Sequence, residues 1–195
     1  MKKPKRHVVV LAGPNGAGKT TMAPVLLKDY LGVMEFVNAD AVARGLSAFQ
    51  PEGAAIAAGR VMLSRLRDLA YRRESFAFET TLASRSFAPW LAQLRRNGYK
   101  IHLFFLWLPT AESALARVAE RVRMGGHGVP EETVKRRFSS GLRNFFNLYR
   151  PLATSWRMYD NSQAGGPRLV ARSSRGRTKV VDTRTWTRIT GGTER

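Results

Sequence analysis

One run, Gly13-Pro14-Asn15-Gly16-Ala17-Gly18-Lys19-Thr20, limits what this chain can fold into more than any other feature, because it satisfies the pattern G-x-x-x-x-G-K-[ST]. The pattern has physical meaning only between a strand and a helix. His7–Ala12 is a short β-branched and apolar run of the kind expected for a strand buried on both faces, and Thr21–Tyr30 has helical spacing at Met22, Val25, Leu26 and Leu27. Glycines in such a turn let consecutive backbone N–H groups converge on phosphate oxygens, and the helix N-terminus adds partial positive charge. Lys19 is then placed to reach the β and γ phosphates, and the Thr20 hydroxyl to ligate Mg²⁺. Thr21 reads either as a contact to an α-phosphate or as the start of the helix. The cofactors expected from this segment are ATP and Mg²⁺.

The rest of the chain alternates in the same way. Strands are expected at Glu35–Asn38, Ser75–Phe78, Lys100–Leu108 and Trp156–Asp160. Helices are expected from about Pro51 to Tyr71 and over Phe87–Asn97, Ala111–Arg123 and Pro130–Tyr149, with Gly98 stopping the second of these. This predicts an α/β class: a three-layer P-loop NTPase fold, nucleoside-kinase-like, with a mainly parallel sheet. A length of 195 residues suits one such domain. The expected division is a basic leader at 1–6, a kinase domain at 7–161 with a helical lid at about 117–137, and a basic extension at 162–195. In the extension, Leu169–Arg172 and Thr178–Asp182 read either as a hairpin or as strands of a loose tail.

In open α/β sheets ligands bind beyond the carboxyl ends of the strands, so acidic residues there are candidates. Asp40 follows the second strand and Glu79 closes the third. A phosphoryl acceptor needs a carboxylate to take its hydroxyl proton, and Asp40 is the choice for that base. The alternative for Asp40 is an Asx turn or cap for the segment starting at Ala41. Glu79 reads as orienting Mg²⁺-bound water, holding a substrate hydroxyl, or pairing with an Arg. Thr80 and Thr81 read as substrate contacts or as caps. In the lid, Arg117 and Arg121 are spaced i, i+4 on one helical face, where both guanidinium groups can stabilise charge on a transferring phosphoryl group. The loop Met124–Pro130, with Gly125, Gly126 and Gly128, is suited to hinge over nucleotide and exclude water. The alternative is an exposed charged face.

The formal charge of +19, with 25 Arg among 33 basic residues, implies attraction to polyanions. Phosphate ligands, an acidic protein and nucleic acid all satisfy that, and nucleic acid is the less favoured of them. The longest apolar run, Leu103–Leu108, is far short of the roughly 20 residues that cross a bilayer. No membrane partner is expected, and the chain reads as cytoplasmic. Zero Cys and three His exclude a thiolate site and leave little for a multi-His metal centre.

Gly-Pro-Asn-Gly-Ala-Gly-Lys-Thr-Thr also resembles the Walker A loop of ABC-type transporter ATPases, but the Leu-Ser-Gly-Gly-Gln signature and a hydrophobic strand ending in Asp-Glu are missing. A fuller match combines Gly13–Thr20, Asn38-Ala39-Asp40, Phe78-Glu79-Thr80-Thr81 and the stretch from Arg117 through Gly-Gly-His-Gly-Val-Pro to Arg137. In that order, over about residues 7–161, the chain resembles the zeta toxin family of P-loop kinases. The resemblance implies ATP- and Mg²⁺-dependent phosphorylation of a small-molecule hydroxyl, that of UDP-N-acetylglucosamine in the best-known members. Some members are toxins held by an antitoxin, which makes an acidic antitoxin a partner to seek. On this resemblance Asp40 matches the catalytic base, Lys19 and Thr20 the Walker lysine and Mg²⁺ ligand, and Glu79 a substrate-site glutamate. Arg117 or Arg121 matches the first of two phosphate-contacting arginines; His127 stands where the second is expected. Polynucleotide kinase, and a nucleotide-regulated module that binds an acidic protein, are the alternatives.

Overall fold

Val8, Val9, Val10, Leu11 and Ala12 are all fully buried, because the strand they form lies between two neighbours and under helices on both faces, where no position needs to be polar. A computed structural model describes residues 6–31, 35–47, 53–174 and 176–191. Of the expected leader only Arg6 falls among them, and it opens the first strand.

That strand, β1 (Arg6–Ala12), is joined by β2 (Glu35–Val37), β3 (Phe76–Thr80), β4 (Tyr99–Trp107), β5 (Ser155–Asp160), β6 (Arg168–Ser174) and β7 (Arg177–Val180). Among the described residues they form one sheet in the order β2-β3-β1-β4-β5-β6-β7. Pairs from β2 to β5 are parallel, and β6 and β7 are antiparallel. The helices are α1 (Lys19–Leu31), α2 (Ala39–Leu46), α3 (Ala55–Tyr71), α4 (Phe87–Arg96), α5 (Ala111–Arg123), α6 (Glu131–Asn144) and α7 (Thr183–Thr190). Side chains of α3, α4 and α7 pack on one face with Val8, Val10, Phe76 and Phe78. Those of α1 pack on the other with Val9, Leu11 and Phe104, and those of α5 pack around Leu106. The result is a three-layer α/β P-loop NTPase fold. None of the described helices is long and apolar enough to cross a membrane.

Several elements depart from the sequence expectation, among them α7, a helix not expected in the extension. Helix α2 was not anticipated, since its eight residues are too few for a clear period. Val25 in α1 is 55% exposed, so the apolar stripe read there is narrower than its spacing suggests. The helix expected to run to Tyr149 ends at Asn144 and continues as a single π turn over Phe145–Tyr149. That turn brings Asn144 and Tyr149 onto a common face, which a regular α-helix would have turned apart.

The described residues beyond Asn161 do not form a loose tail separate from the sheet. β6 pairs with β5 along Asp160↔Arg168 to Ser155↔Ser174, and Trp186 of α7 stacks on Trp156 with centroids 5.8 Å apart. Trp186 and Trp156 are 3% and 4% exposed, so the extension seals an aromatic cluster that also contains Phe145 and Phe146.

Away from the strands' carboxyl ends, His7 Nδ1 and His102 Nε2 are 2.8 Å apart, and His102 Nδ1 pairs with Ser155 Oγ at 2.8 Å. Burial, helped by the positive potential of His7 and Lys100, pushes His102 down to about 4. Unfolding restores its ordinary value near 6.5, so the unfolded chain binds the extra proton first and stability is lost as pH falls from 6.5 towards 4. With the ring partly exposed, the expected loss is about 1–2 kcal/mol, less than the full shift would give. Urea unfolding at pH 7.5 and 4.5 checks this, and His102→Asn should shrink the difference between the two.

Candidate active site

Sheet register decides which side chains meet. Leu11 lies beside Glu79 and Ala12 beside Thr80, so the end of β3 is level with the turn that leaves β1. Val37 pairs with Phe78, which brings Asn38 level with Glu79. The turn itself needs glycine: at Gly13, φ is +141° and a Cβ would meet the Leu106 carbonyl oxygen at 2.3 Å.

Lys19 opens α1 and points back across the turn. It is 6% exposed, donates from Nζ to the Pro14 carbonyl at 2.8 Å and lies 3.6 Å from Glu79 Oε1. Burial pulls its ammonium below the usual lysine value, while Glu79 and Asp40 oppose that and Arg121 adds to it. Glu79 is the hub. Its Oε2 accepts from Thr20 Oγ1 at 2.8 Å and from Asn38 Nδ2 at 2.8 Å. A carboxylate with these three partners, only 11% exposed, is held in one position.

Asn38 is the residue that sequence reasoning missed. Its Oδ1 accepts from the backbone N–H of Asp40 at 2.7 Å and of Ala41 at 3.3 Å, capping α2, while its Nδ2 serves Glu79. An Asn between a strand and a short apolar stretch is a cap signal, and it was available in Asn38-Ala39-Asp40. With Asn38 as the cap, Asp40 does not fill that role. No described residue donates a hydrogen bond to the Asp40 carboxylate, whose charged neighbours include Lys19 and Arg137.

These groups line a cavity of about 600 Å³ that also touches Asn15, Thr80, Thr81, Arg121, Arg136 and Arg137. Lys19, Arg121, Arg136 and Arg137 face Asp40 and Glu79 there, four cations against two carboxylates, which favours an anionic ligand. Its apolar wall comes from Ala43, Met62, Leu63 and Phe87. Asn15 is 7% exposed, and its Oδ1 is buried with no partner among the described residues, a group that a ligand in the turn can satisfy. Thr20 Oγ1 and Glu79 Oε2 are hard oxygen donors 2.8 Å apart beside the turn. Mg²⁺ is usually held by one or two protein oxygens together with phosphates, so these two fit the ion.

The lid arginines separate. Arg121 lines the cavity and donates to the His127 carbonyl from Nε at 3.0 Å and Nη2 at 2.7 Å. Arg117 donates to the Ser162 carbonyl at 3.1 Å, and its Cβ backs Gly16 of the turn. The two guanidinium groups therefore do not converge on one anion, despite their i, i+4 spacing, because Arg117 is taken up by a carbonyl of the extension. The glycine loop is folded onto Arg121, and a Cβ at Gly126 would meet Arg121 Cγ at 2.6 Å. Thr21 is exposed and outside the cavity lining. Thr80 and Thr81 accept from the backbone N–H of Leu82 and Ala83, which shapes the loop after β3 rather than capping α4.

That loop is held from behind. Asn144 Nδ2 donates to the Leu82 carbonyl at 2.8 Å and to the Ala83 carbonyl at 3.1 Å, and the Tyr149 hydroxyl donates to the Ser84 carbonyl. Burial pushes Tyr149 up to about 12, so it remains a donor at any physiological pH. Asn144→Ala leaves two carbonyls short of a partner and should cost about 1–3 kcal/mol in urea unfolding.

With this geometry established, comparison with known proteins is decisive for the family. A sequence profile described as an AAA domain matches residues 8–146. The chain belongs to that family. AAA-domain membership agrees with the glycine turn between β1 and α1 and with the parallel sheet around it. An uncharacterized protein of Haemophilus influenzae is 28% identical over 134 residues, 69% of this chain and 94% of that protein. A chain of the AvrRxo1-ORF1:-ORF2 complex with ATP superposes with a TM-score of 0.73 at 20% identity, over 98% of this chain and 65% of that one. A chain from the PezAT chromosomal toxin–antitoxin system of Streptococcus pneumoniae gives 0.66 at 15% identity, over 98% and 81%. This chain thus spans about two thirds of the AvrRxo1 complex chain, and at these identities the likeness concerns the fold.

Proposed function

We propose that this protein transfers the γ-phosphoryl group of ATP to a hydroxyl of a small molecule. The observation that carries the reading is that Asp40, whose carboxylate receives no hydrogen bond from any described residue, lines the same cavity as Lys19, Glu79 and Arg121. Asp40 takes the hydroxyl proton as the acceptor oxygen bonds to the γ phosphorus. The bond from that phosphorus to the β–γ bridging oxygen breaks, and ADP leaves. Lys19 and Arg121 stabilise charge on the phosphates from fixed positions. Thr20 and Glu79 would hold Mg²⁺, which when bound neutralises phosphate charge. Glu79 thus serves the nucleotide side, although the zeta toxin resemblance gives it a substrate role. Arg117 steadies the turn through Gly16.

The resemblance makes UDP-N-acetylglucosamine the first acceptor to try, and the excess of cations in the cavity suits its diphosphate. An acidic antitoxin as partner belongs to the same reading, supported by the likeness to a chain from a toxin–antitoxin system. The test is incubation with ATP, Mg²⁺ and a panel of hydroxyl-bearing metabolites that includes this nucleotide sugar, read by mass spectrometry. A product heavier by one phosphoryl group supports a kinase. Tight nucleotide binding with no acceptor modified would favour a binding module instead.

A further inference from the structure

The outer strands carry charge that phosphoryl transfer does not use. Arg157 lies opposite Arg172 and Arg172 opposite Lys179, so three cations form one row on one face of β5, β6 and β7. The adjacent row holds Ser155, Ser174 and Arg177. Lys100 shares that face, since His102, two residues on, pairs with Ser155. The placement is borne out by contacts: Arg157 lies over the Phe104 ring at 5.6 Å, and Tyr159, two residues along, feels both Arg157 and Arg172.

Arg172, Arg177, Lys179 and Lys100 are exposed, and no described carboxylate forms an ion pair with any of them. Asp160, the one acidic residue on these three strands, pairs with Arg168 at 3.4 Å on the opposite face. Like charges directly opposite one another destabilise a sheet. Basic residues on an edge strand do guard against unwanted pairing, which accounts for Arg177 and Lys179. It does not account for Arg172, because β6 is paired on both sides. A polyanion resting on the row would relieve the repulsion.

We propose that this face binds the phosphodiester backbone of nucleic acid. Protein interfaces centre on apolar anchors, whereas protein–nucleic acid interfaces are more polar and positive. Among the described residues of 155–191 the one exposed large apolar side chain is Val181, past the end of β7. Binding follows charge rather than base sequence, and it occurs away from the nucleotide turn.

The test measures binding of a fluorescent 20-nucleotide poly(U) RNA to the full chain from 50 to 300 mM salt, with saturating ATP and Mg²⁺ to occupy the turn. The parent should bind at 50 mM, with log K falling linearly in log salt. Arg172→Thr/Arg177→Thr/Lys179→Thr should bind at least about tenfold more weakly at 50 mM, with a slope shallower by about 2, because each phosphate contact on a single strand contributes about 0.7. This triple variant should melt no lower than the parent, because it removes like-charge repulsion, so loss of binding cannot be put down to unfolding. A charge-matched variant on the far side of the sheet, Arg44→Gln/Arg60→Gln/Arg67→Gln, should bind as the parent does. No binding at 50 mM overturns the proposal, as does an equal loss in both triple variants. So does poly-glutamate binding to the face where RNA does not, which would assign it to an acidic protein.

Discussion

Asp40→Asn is expected to slow phosphoryl transfer by about 10²–10⁴-fold, the usual contribution of a positioned general base, with little change in ATP affinity. Asparagine keeps the shape and the backbone N–H that Asn38 accepts, so α2 stays capped. What it loses is the ability to take a proton. Single-turnover transfer to whichever acceptor the metabolite panel yields, together with nucleotide binding by fluorescence, separates the two effects. Full activity in the variant would remove Asp40 from the mechanism. A parallel loss of ATP affinity would instead place Asp40 among the phosphate-binding groups.

Lys19→Met should slow turnover by another route, lowering transfer by about 10²–10³-fold through loss of a fixed donor to the phosphates and weakening ATP binding as well. Its effect on folding is less obvious, because the ammonium is buried against Glu79. Breaking a buried pair ordinarily costs several kcal/mol through the charge left behind. Here Glu79 keeps its hydrogen bonds from Thr20 and Asn38, and methionine fills the space of the lysine stem. The variant should therefore melt within a few degrees of the parent without ligand, by calorimetry. A collapse of thermal stability would show that Lys19 supports the fold as much as the chemistry.

The sequence made the centre of the protein legible because the same residues act locally and chemically. The glycine turn, β1 and α1 all lie within one short stretch, and β4 and α5 carry periods long enough to read. Asp40 and Glu79 are legible as candidates because strand ends are where ligands bind in such sheets, and both line the cavity. The bond from Asn38 to Glu79 is hidden in the sequence because it depends on register: a residue just past β2 meets the end of β3 only through a pairing that spans 41 positions. Of the lid arginines, Arg117 departs from the expectation for a similar reason. Helical spacing places Arg117 and Arg121 on one side, yet the Ser162 carbonyl, far along the chain, captures Arg117. The row across β5, β6 and β7 was equally hidden, since net charge says nothing of which arginines become neighbours.

The sheet also limits how the protein can be shortened. Asn161 Nδ2 donates to the Ala17 carbonyl inside the glycine turn at 2.9 Å, and one residue later the Ser162 carbonyl anchors Arg117. A cut placed there to isolate a minimal catalytic core would expose the flank of β5, bare the Trp156 indole to water and loosen two moorings of the nucleotide pocket together. Such a fragment would aggregate or bind ATP poorly whatever the outer strands do in the intact protein, so point changes on their surface, not deletions, are the way to learn their role.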